Sequence, residues 1–241
     1  MDAPLPASGR GRGLGRQARG GVVKPINILF EDNHVLAIDK PAGMLSQGDL
    51  SGDLDVLTAV KELLKRRDGK PGNVYLGLVH RLDRPVAGAM LLAKTSKAAG
   101  RLSRQFRERE TVKLYRAVTA GAPATDEAEL VHNLEKDAAT RVTRIVAGGG
   151  KVARLRYRVL ERREATALLE VELLTGLPHQ IRVQLAATGC PILGDRKYGA
   201  PSHLPSGPGA IALYSRSISF AHPVRDERLT IEAPPPPHWP W

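Results

Sequence analysis

An aspartate between two arginines, in the stretch Arg81-Leu82-Asp83-Arg84, is the strongest candidate for a reactive group in this chain. Apolar runs at residues 74–79 and 89–93 flank it, and short apolar runs bounded by turn residues predict buried strands. Asp83 is therefore expected in a short connection between two strands, where a rigid sheet holds a side chain still. Nearby guanidinium groups favour a charged carboxylate, which suits a nucleophile or an electrostatic partner better than a proton donor. Taken alone, the motif is also compatible with a structural ion pair in a surface loop.

Four blocks of sequence, in order, resemble the RluA-type RNA pseudouridine synthases. His80-Arg81-Leu82-Asp83 followed by Gly88 is similar to the catalytic signature of that family. The other three blocks are residues 39–44, residues 112–118, and residues 174–183 continued by 189–195 and 198–199. Together they extend over most of residues 26–232. The chain departs from the family pattern at Val86-Ala87, Leu177-Pro178 and Gln184, and these departures concern RNA contacts rather than the chemistry.

The resemblance implies a reaction and a set of site residues. Converting uridine to pseudouridine breaks an N-glycosidic bond and rejoins the ring through carbon, which requires neither metal nor cofactor. The target base must leave its stack, and the resemblance assigns to Arg81 the filling of the vacated space. Tyr115 offers a ring on which the uracil can stack, and Arg182 is expected to pair with Asp83. Whether Asp83 attacks the sugar, attacks the base or removes a sugar proton stays open.

Further residues are expected to bind RNA. His80, His179 and Gln180 lie inside the matching blocks. A helix capped by Ser96 and running to about Arg109 would place three cations on one face, where they either contact phosphates or are simply solvated. These are Lys97, Arg101 and Arg104.

Composition agrees with a nucleic-acid partner. The net charge is +11 and the isoelectric point is about 10.1, which favours a polyanion such as RNA. No apolar run is long enough to span a bilayer, and the single cysteine, Cys190, is typical of a reducing, cytoplasmic protein. A monomer is expected.

The chain divides into three predicted regions. Residues 1–25 carry five basic residues and one acidic residue among many glycines, which predicts a disordered arm that either raises RNA affinity non-specifically or is an inert tail. Residues 26–233 form the catalytic domain. Residues 234–241 are rich in proline and tryptophan and predict an extended tail.

Periodicity and turn residues predict more strands than helices. Strands are expected at residues 26–30, 35–38, 112–119, 152–161, 165–174, 211–220 and 229–232, and helices at residues 54–67, 96–109 and 178–188. Because helices and strands do not alternate regularly, an α+β fold with a mixed, mostly antiparallel sheet and flanking helices is favoured. The resemblance implies this pseudouridine synthase fold too.

Two other enzyme classes are excluded and one alternative stays open. A kinase would add a Gly-rich loop and an Asp-Phe-Gly sequence, and a metal hydrolase would cluster the seven histidines, which are scattered. The favoured function is isomerisation of a specific uridine in structured RNA, either tRNA or an rRNA stem-loop. The alternative is a catalytically inactive RNA-binding protein that keeps the synthase fold.

Overall fold

The computed structural model describes residues 26–49, 51–69, 71–137, 139–140, 142–201, 204, 209–237 and 239–241. The basic arm predicted for residues 1–25 lies outside the described residues. Three helices are described: α1 (Val56–Arg67), α2 (Ser96–Glu108) and α3 (Gln180–Ala187). Every helix and strand that the sequence predicted is present, although the strand expected at residues 74–79 is shorter. Two strands, β6 (Glu127–Lys136) and β7 (Thr143–Val146), were not predicted.

One sheet holds the eleven described strands. They are β1 (Asn27–Glu31), β2 (Val35–Lys40), β3 (Gly77–Leu78), β4 (Ala87–Ala93), β5 (Val112–Ala120), β6 (Glu127–Lys136), β7 (Thr143–Val146), β8 (Lys151–Arg163), β9 (Thr166–Leu173), β10 (Leu213–Ala221) and β11 (Arg228–Glu232). The order is β1-β2-β4-β10-β5-β9-β8-β6-β7, with β3 paired to β4 and β11 to β10. Only β4 and β10 pair in parallel among these strands. The predicted α+β fold with a mixed, mostly antiparallel sheet is confirmed.

Strand β4 lies in the middle of the core. All seven of its residues are buried, and they alternate between two apolar clusters. Met90 and Leu92 pack in the cluster that contains the buried face of α1, whereas Ala89 and Leu91 pack in the cluster that contains α2. A strand covered on both faces reads as a continuous apolar run instead of an alternating one. This explains why the residues after Asp83 are uniformly apolar.

The predicted strand at residues 74–79 is wrong in extent. Only Gly77–Leu78 forms a strand, which pairs with Leu92 and Ala93 at the end of β4. The same edge of β4 is occupied by β10 at Ala87 and Gly88. Because β10 takes that part of the edge, the apolar run before Asp83 can pair for two residues only.

Two other local predictions need correction. Helix α2 is capped by Thr95, not by Ser96: Thr95 is extended, with φ of −136°, and its side chain accepts a hydrogen bond from the Ala98 amide at 3.1 Å. Strands β6 and β7 were not predicted. Residues 127–136 are half polar and mostly at the surface, so their hydrophobic pattern is too weak to signal a strand.

The proline-rich tail contacts the body of the protein. The Trp239 ring packs edge-to-face on Tyr214, with centroids 4.8 Å apart. The Trp241 indole donates a hydrogen bond to Glu161 at 2.9 Å, and the Arg163 guanidinium lies 3.8 Å from the centroid of its ring. The tail therefore packs against β10 and the end of β8.

Candidate active site

The loop that carries Asp83 is held on both sides of the aspartate, by Gly43 of the first sequence block and by Ser46 just after it. The Ser46 hydroxyl donates to the Leu82 carbonyl at 2.7 Å and accepts from the Leu82 amide at 3.1 Å. On the other side of Asp83, the Gly43 amide donates to the Arg84 carbonyl at 2.8 Å. Backbone groups fixed in this way leave the Asp83 side chain little freedom to change position.

Lys40 strengthens the same connection from inside the protein. Its ammonium is fully buried and donates to the carbonyls of Pro41, Met44 and Arg84, at 3.1, 2.7 and 3.3 Å. A buried ammonium is costly unless its protons are hydrogen-bonded, so these contacts account for a lysine in the core. The first block therefore fixes the backbone of the Asp83 loop through hydrogen bonds.

Gly88 allows the sheet to approach this loop closely. Its φ is +106°, and a Cβ atom built on it would lie 2.3 Å from the Ser215 carbonyl oxygen. Only glycine tolerates both the backbone conformation and the contact. The glycine of the signature therefore permits the parallel pairing of β4 with β10 directly behind Asp83.

Arg182 joins Asp83 to a second carboxylate. Its Nη1 donates to Asp83 Oδ2 at 3.0 Å, while Nε and Nη2 donate to the two oxygens of Asp195 at 2.6 and 2.9 Å. Arg182 and Asp195 are both buried. Burial acts to lower the pKa of Arg182, but the hydrogen bonds and charge of Asp195 and then of Asp83 raise it. The guanidinium is thus permanently charged and fixed in a plane by Asp195.

The two arginines beside Asp83 in the sequence do not pair with it. Arg84 donates to the Gly43 carbonyl at 3.0 Å and forms an ion pair with Asp53 at 2.8 Å. Arg81 is exposed at the mouth of the site. The sequence neighbours of Asp83 are therefore not its ion-pair partners; the partner is Arg182 of α3, as the family resemblance implied.

His179 lies on the other side of Asp83, with its Nε2 3.9 Å from Asp83 Oδ2. The Tyr198 hydroxyl, which accepts from the Thr143 amide at 3.1 Å, lies 2.7 Å from His179 Nδ1. Because the Tyr198 oxygen already accepts a hydrogen bond, its hydroxyl can donate to His179 Nδ1. This favours the His179 tautomer whose proton is on Nε2, the nitrogen nearer to Asp83. Burial lowers the pKa of His179, against the opposing effect of Asp83, so the ring is neutral at neutral pH.

Tyr115 lies on β5, opposite Ser215 of β10, with its side chain in the same cleft as Asp83. It is 7% exposed. Burial raises the pKa of Tyr115 well above its usual range, and the charge of Asp83 adds to the effect. The hydroxyl therefore keeps its proton, and the ring forms one side of the cleft.

Two of the predicted RNA contacts have internal roles. His80 Nε2 accepts from the Leu91 amide at 2.8 Å, and its ring stacks on Phe106 at 4.6 Å. Burial, helped by the charge of Lys113, lowers the pKa of His80 to about 3. Gln180 is buried, and its amide bonds to Arg154, Thr175 and Leu177. These bonds organise the loops around the cleft, which both residues line.

The predicted basic face of α2 does not border the cleft that contains Asp83. Arg101 donates to the Pro223 carbonyl, and Arg104 pairs with Glu108 at 3.5 Å. Neither these two nor Lys97 belongs to the lining of the cleft. The helical pattern identified residues that share a face, but it does not tell which surface that face borders.

The cleft itself has a volume of about 1090 Å³. Among the described residues, eight of those that line it are lysine or arginine and two are carboxylates, Asp49 and Asp83. The cations are Arg81, Arg84, Arg107, Arg109, Lys113, Lys136, Lys151 and Arg182. Such a cleft concentrates positive potential around Asp83 and fits a polyanionic substrate.

Sequence reasoning did not single out Asp195 or Lys113. Asp195 was present only as part of the third block, and Lys113 only as the residue two before Tyr115. Alternation along a strand puts Lys113 on the same side of β5 as Tyr115, which is the signal that could have found it. Nothing in the local sequence indicates that Asp195 contacts Arg182.

Two general properties bear on what the site could hold. Within the described part of the chain, no three His, Cys, Asp or Glu side chains lie near enough together to bind a metal ion. No helix there is both long and apolar enough to cross a membrane. The expectation of a reaction without metal or cofactor stays a prediction.

Comparison with known proteins identifies the family. The sequence model described as RNA pseudouridylate synthase matches residues 34–187. The chain is 36% identical to the ribosomal large subunit pseudouridine synthase D of Xanthomonas campestris, covering 88% of this chain and 66% of that protein. It is also 36% identical to an uncharacterized RNA pseudouridine synthase of Aquifex aeolicus, covering 88% and 70%.

A solved structure agrees with this result. The human RNA pseudouridylate synthase domain containing 4 superposes with a TM-score of 0.73 at 26% identity, covering 88% of this chain and 90% of that one. The fold, the order of the blocks and the relatives all point to one assignment. The chain therefore belongs to the RluA-type RNA pseudouridine synthase family, as its motifs predicted.

Proposed function

We propose that this protein isomerises a uridine in RNA to pseudouridine and that Asp83 is the catalytic carboxylate. The observation that carries the proposal is the Asp83–Arg182 ion pair of 3.0 Å at the edge of a cationic cleft. The 6% exposure of the Arg182 side chain protects this pair from solvent, whereas the Asp83 side chain, 25% exposed, stays accessible to a ligand. A charged carboxylate that is both fixed and accessible is what the reaction requires.

The reaction rearranges bonds within one nucleotide. The bond between N1 of uracil and C1′ of ribose breaks, and a bond between C5 and C1′ forms. C5 loses its proton, and N1 ends with one, so atoms and electrons balance without an oxidant, a reductant or consumed water. The enzyme has to stabilise the separated base and sugar, and then help to move a proton from C5.

Arg182 and Asp195 prepare Asp83 for this task. A bidentate guanidinium–carboxylate contact fixes the plane of Arg182, and its remaining Nη1 then holds one oxygen of Asp83. The other Asp83 oxygen is left for the substrate. His179 is neutral, and its Nε2 lies 3.9 Å from Asp83 Oδ2, beyond hydrogen-bond distance, so it borders the carboxylate without competing for its charge.

Tyr115 and Arg81 fit the handling of an extruded base. The Tyr115 ring lines the cleft beside Asp83, and a flipped uracil can stack on it. Arg81 is exposed at the cleft, and its side chain has no hydrogen-bond or ion-pair partner among the described residues. Its guanidinium is free to occupy the gap that the flipped base leaves in the RNA.

The substrate we favour is a uridine in structured RNA, either tRNA or an rRNA stem-loop. The names of relatives such as the Xanthomonas protein refer to the ribosomal large subunit, which favours rRNA. The chain spans 66% and 70% of the length of the two relatives described above, so their targets are carried over only as part of this proposal. A monomeric, cytoplasmic enzyme stays a prediction.

The test is to map pseudouridines in RNA from cells with and without the gene. One or a few sites should disappear on deletion and return with the wild-type gene, but not with Asp83→Asn. In vitro, the purified protein should release tritium from transcripts labelled at C5 of uridine. A deletion strain with an unchanged pseudouridine map and no tritium release from total RNA would favour the inactive RNA-binding protein instead.

A further inference from the structure

One lysine in the cleft is buried without a partner. Lys113 lies on β5, two residues before Tyr115, and is 8% exposed. It lines the same cleft as Asp83. Within the part of the chain that the structure describes, its ammonium forms no hydrogen bond and no ion pair. Lysine is almost never buried unless it is paired, so this position calls for an explanation.

The groups around Lys113 make its position more unfavourable. Burial lowers the pKa of Lys113, the charge of Arg109 lowers it further, and only Glu172 opposes them. Glu172 lies opposite Leu114 on the neighbouring strand, so alternation directs it to the other face of the sheet. His80, the other titratable neighbour, is neutral. Among the described residues, no group on the cleft side of the sheet opposes these two effects on the pKa of Lys113.

Arg109 is held beside it by an unusual backbone conformation. Its φ is +61°, in the left-handed region that glycine normally occupies at the end of a helix. For a residue with a long side chain, this conformation costs about 1–2 kcal/mol, and strained residues are concentrated at functional sites. The Arg109 guanidinium, like the Lys113 ammonium, has no carboxylate partner among the described residues and lines the cleft.

We propose that Lys113 and Arg109 form a binding subsite for a backbone phosphate of the RNA. A phosphodiester supplies the charge and the acceptor oxygens that these donors lack, with guanidinium and ammonium as its usual partners. Lys113 lies about 7 Å from Tyr115 along the strand, within reach of the same nucleotide. The subsite rests on the proposed function, since it positions the uridine that stacks on Tyr115.

The proposal predicts opposite effects on stability and on binding. Lys113→Met removes an unpaired buried charge, so the Tm of the RNA-free protein should stay the same or rise. The same change should weaken RNA binding, because the phosphate loses its cation. A lysine with a purely structural role would behave in the reverse way, with a lower Tm and unchanged binding.

The binding experiment uses an oligouridylate of about 15 nucleotides, titrated by fluorescence anisotropy at several salt concentrations. Lys113→Gln should weaken binding roughly tenfold and reduce the slope of log affinity against log salt by about 0.7, the value for one neutralised phosphate of a single strand. The matched control is Lys97→Gln. Lys97 is exposed and lies outside the cleft, so the control should keep the wild-type slope.

A second probe identifies the group that is bound. In an oligouridylate with uncharged methylphosphonate linkages, wild type and Lys113→Gln should bind equally, because the interaction partner of Lys113 is gone. If Lys113→Gln kept the wild-type salt slope, or still discriminated against the methylphosphonate probe, the phosphate subsite would be wrong. Tritium release from C5-labelled RNA by the wild type is scored separately, so failure of the subsite and failure of the synthase assignment are distinguishable.

Discussion

The cations on the cleft side of the protein and those on the opposite face of the sheet differ in how they are paired. On the face away from the cleft, Arg154 and Arg156 share Glu129, and Arg158 pairs with Glu170, at distances of 2.5–3.0 Å. On the cleft side, no carboxylate partner is found in the described chain for several lining cations. These are Arg81, Arg109, Lys113, Lys136 and Lys151.

The difference teaches that pairing marks a binding surface better than the number of charges does. Exposed ion pairs contribute little to stability, but they cancel the field that would attract RNA. Unpaired cations in a concave surface focus that field and raise the rate of encounter with a polyanion. The cleft should therefore bind RNA, and the paired face, which we call the open face, should not.

The largest effect is expected at the cleft carboxylate. Asp83→Asn should abolish pseudouridine formation, with a loss of at least about a thousandfold, because an essential group contributes several kcal/mol to lowering the barrier. RNA affinity and Tm should stay near wild type. The matched change on the open face, Glu129→Gln, should leave turnover unchanged. Single-turnover rates decide this, and an Asp83→Asn rate within about tenfold of wild type would remove Asp83 from the mechanism.

Arg182 gives the next largest effect. Arg182→Lys should slow turnover roughly a hundredfold although the charge is kept, since an ammonium cannot reproduce the planar contact with two carboxylates. Arg182→Met should be slower still, because Asp83 then lacks both the hydrogen bond and the cation that hold it in place. Arg158→Lys on the open face should behave as wild type. An undiminished rate in Arg182→Met would show that Arg182 does not act on Asp83.

Asp195 should act through Arg182 and not on the RNA. Asp195→Asn should lower kcat roughly tenfold and leave KM unchanged, because it loosens the guanidinium without altering the cleft lining. Asp195→Ala should also destabilise the fold by about 3 kcal/mol, since it leaves a buried arginine without its partner. Denaturant unfolding and steady-state kinetics measure the two effects. An increase in KM alone would mean that Asp195 supports RNA binding instead.

The smallest effect concerns two lysines on the far wall of the cleft. Lys136→Gln and Lys151→Gln should each reduce the salt slope of RNA binding by about 0.7, with little change in kcat. Arg156→Gln, which removes an equal charge from the open face, should not change the slope. Equal slopes for all three variants would show that the two faces do not differ, and that RNA affinity depends on net charge alone.

The Tyr115 strand and the Asp83 loop were predicted from local signals, which are the strand pattern around Tyr115 and the apolar runs beside Asp83. The contact of Arg182 with Asp83 is non-local and was expected only from the family resemblance. The failures are non-local. Arg84 is adjacent to Asp83 in sequence but bonds to Gly43 and Asp53, because a loop does not fix the direction of a side chain. The contact of Asp195 with Arg182 depends on how α3 meets the turn after it, which no pattern of residue types encodes.

The parallel pairing of β4 with β10 sets when the site can form during synthesis of the protein. Ala87 pairs with Tyr214, and Gly88 with Ser215, so the strand directly behind Asp83 is completed by a segment that is synthesised long after it. Arg182 is also made long after Asp83. A nascent chain that ends before residue 213 lacks this support, and because such non-local pairings form late, the Asp83 loop should become ordered only after β10 has left the ribosome. RNA that encounters the growing chain would then contact the basic residues of the protein before the Asp83 loop is ordered.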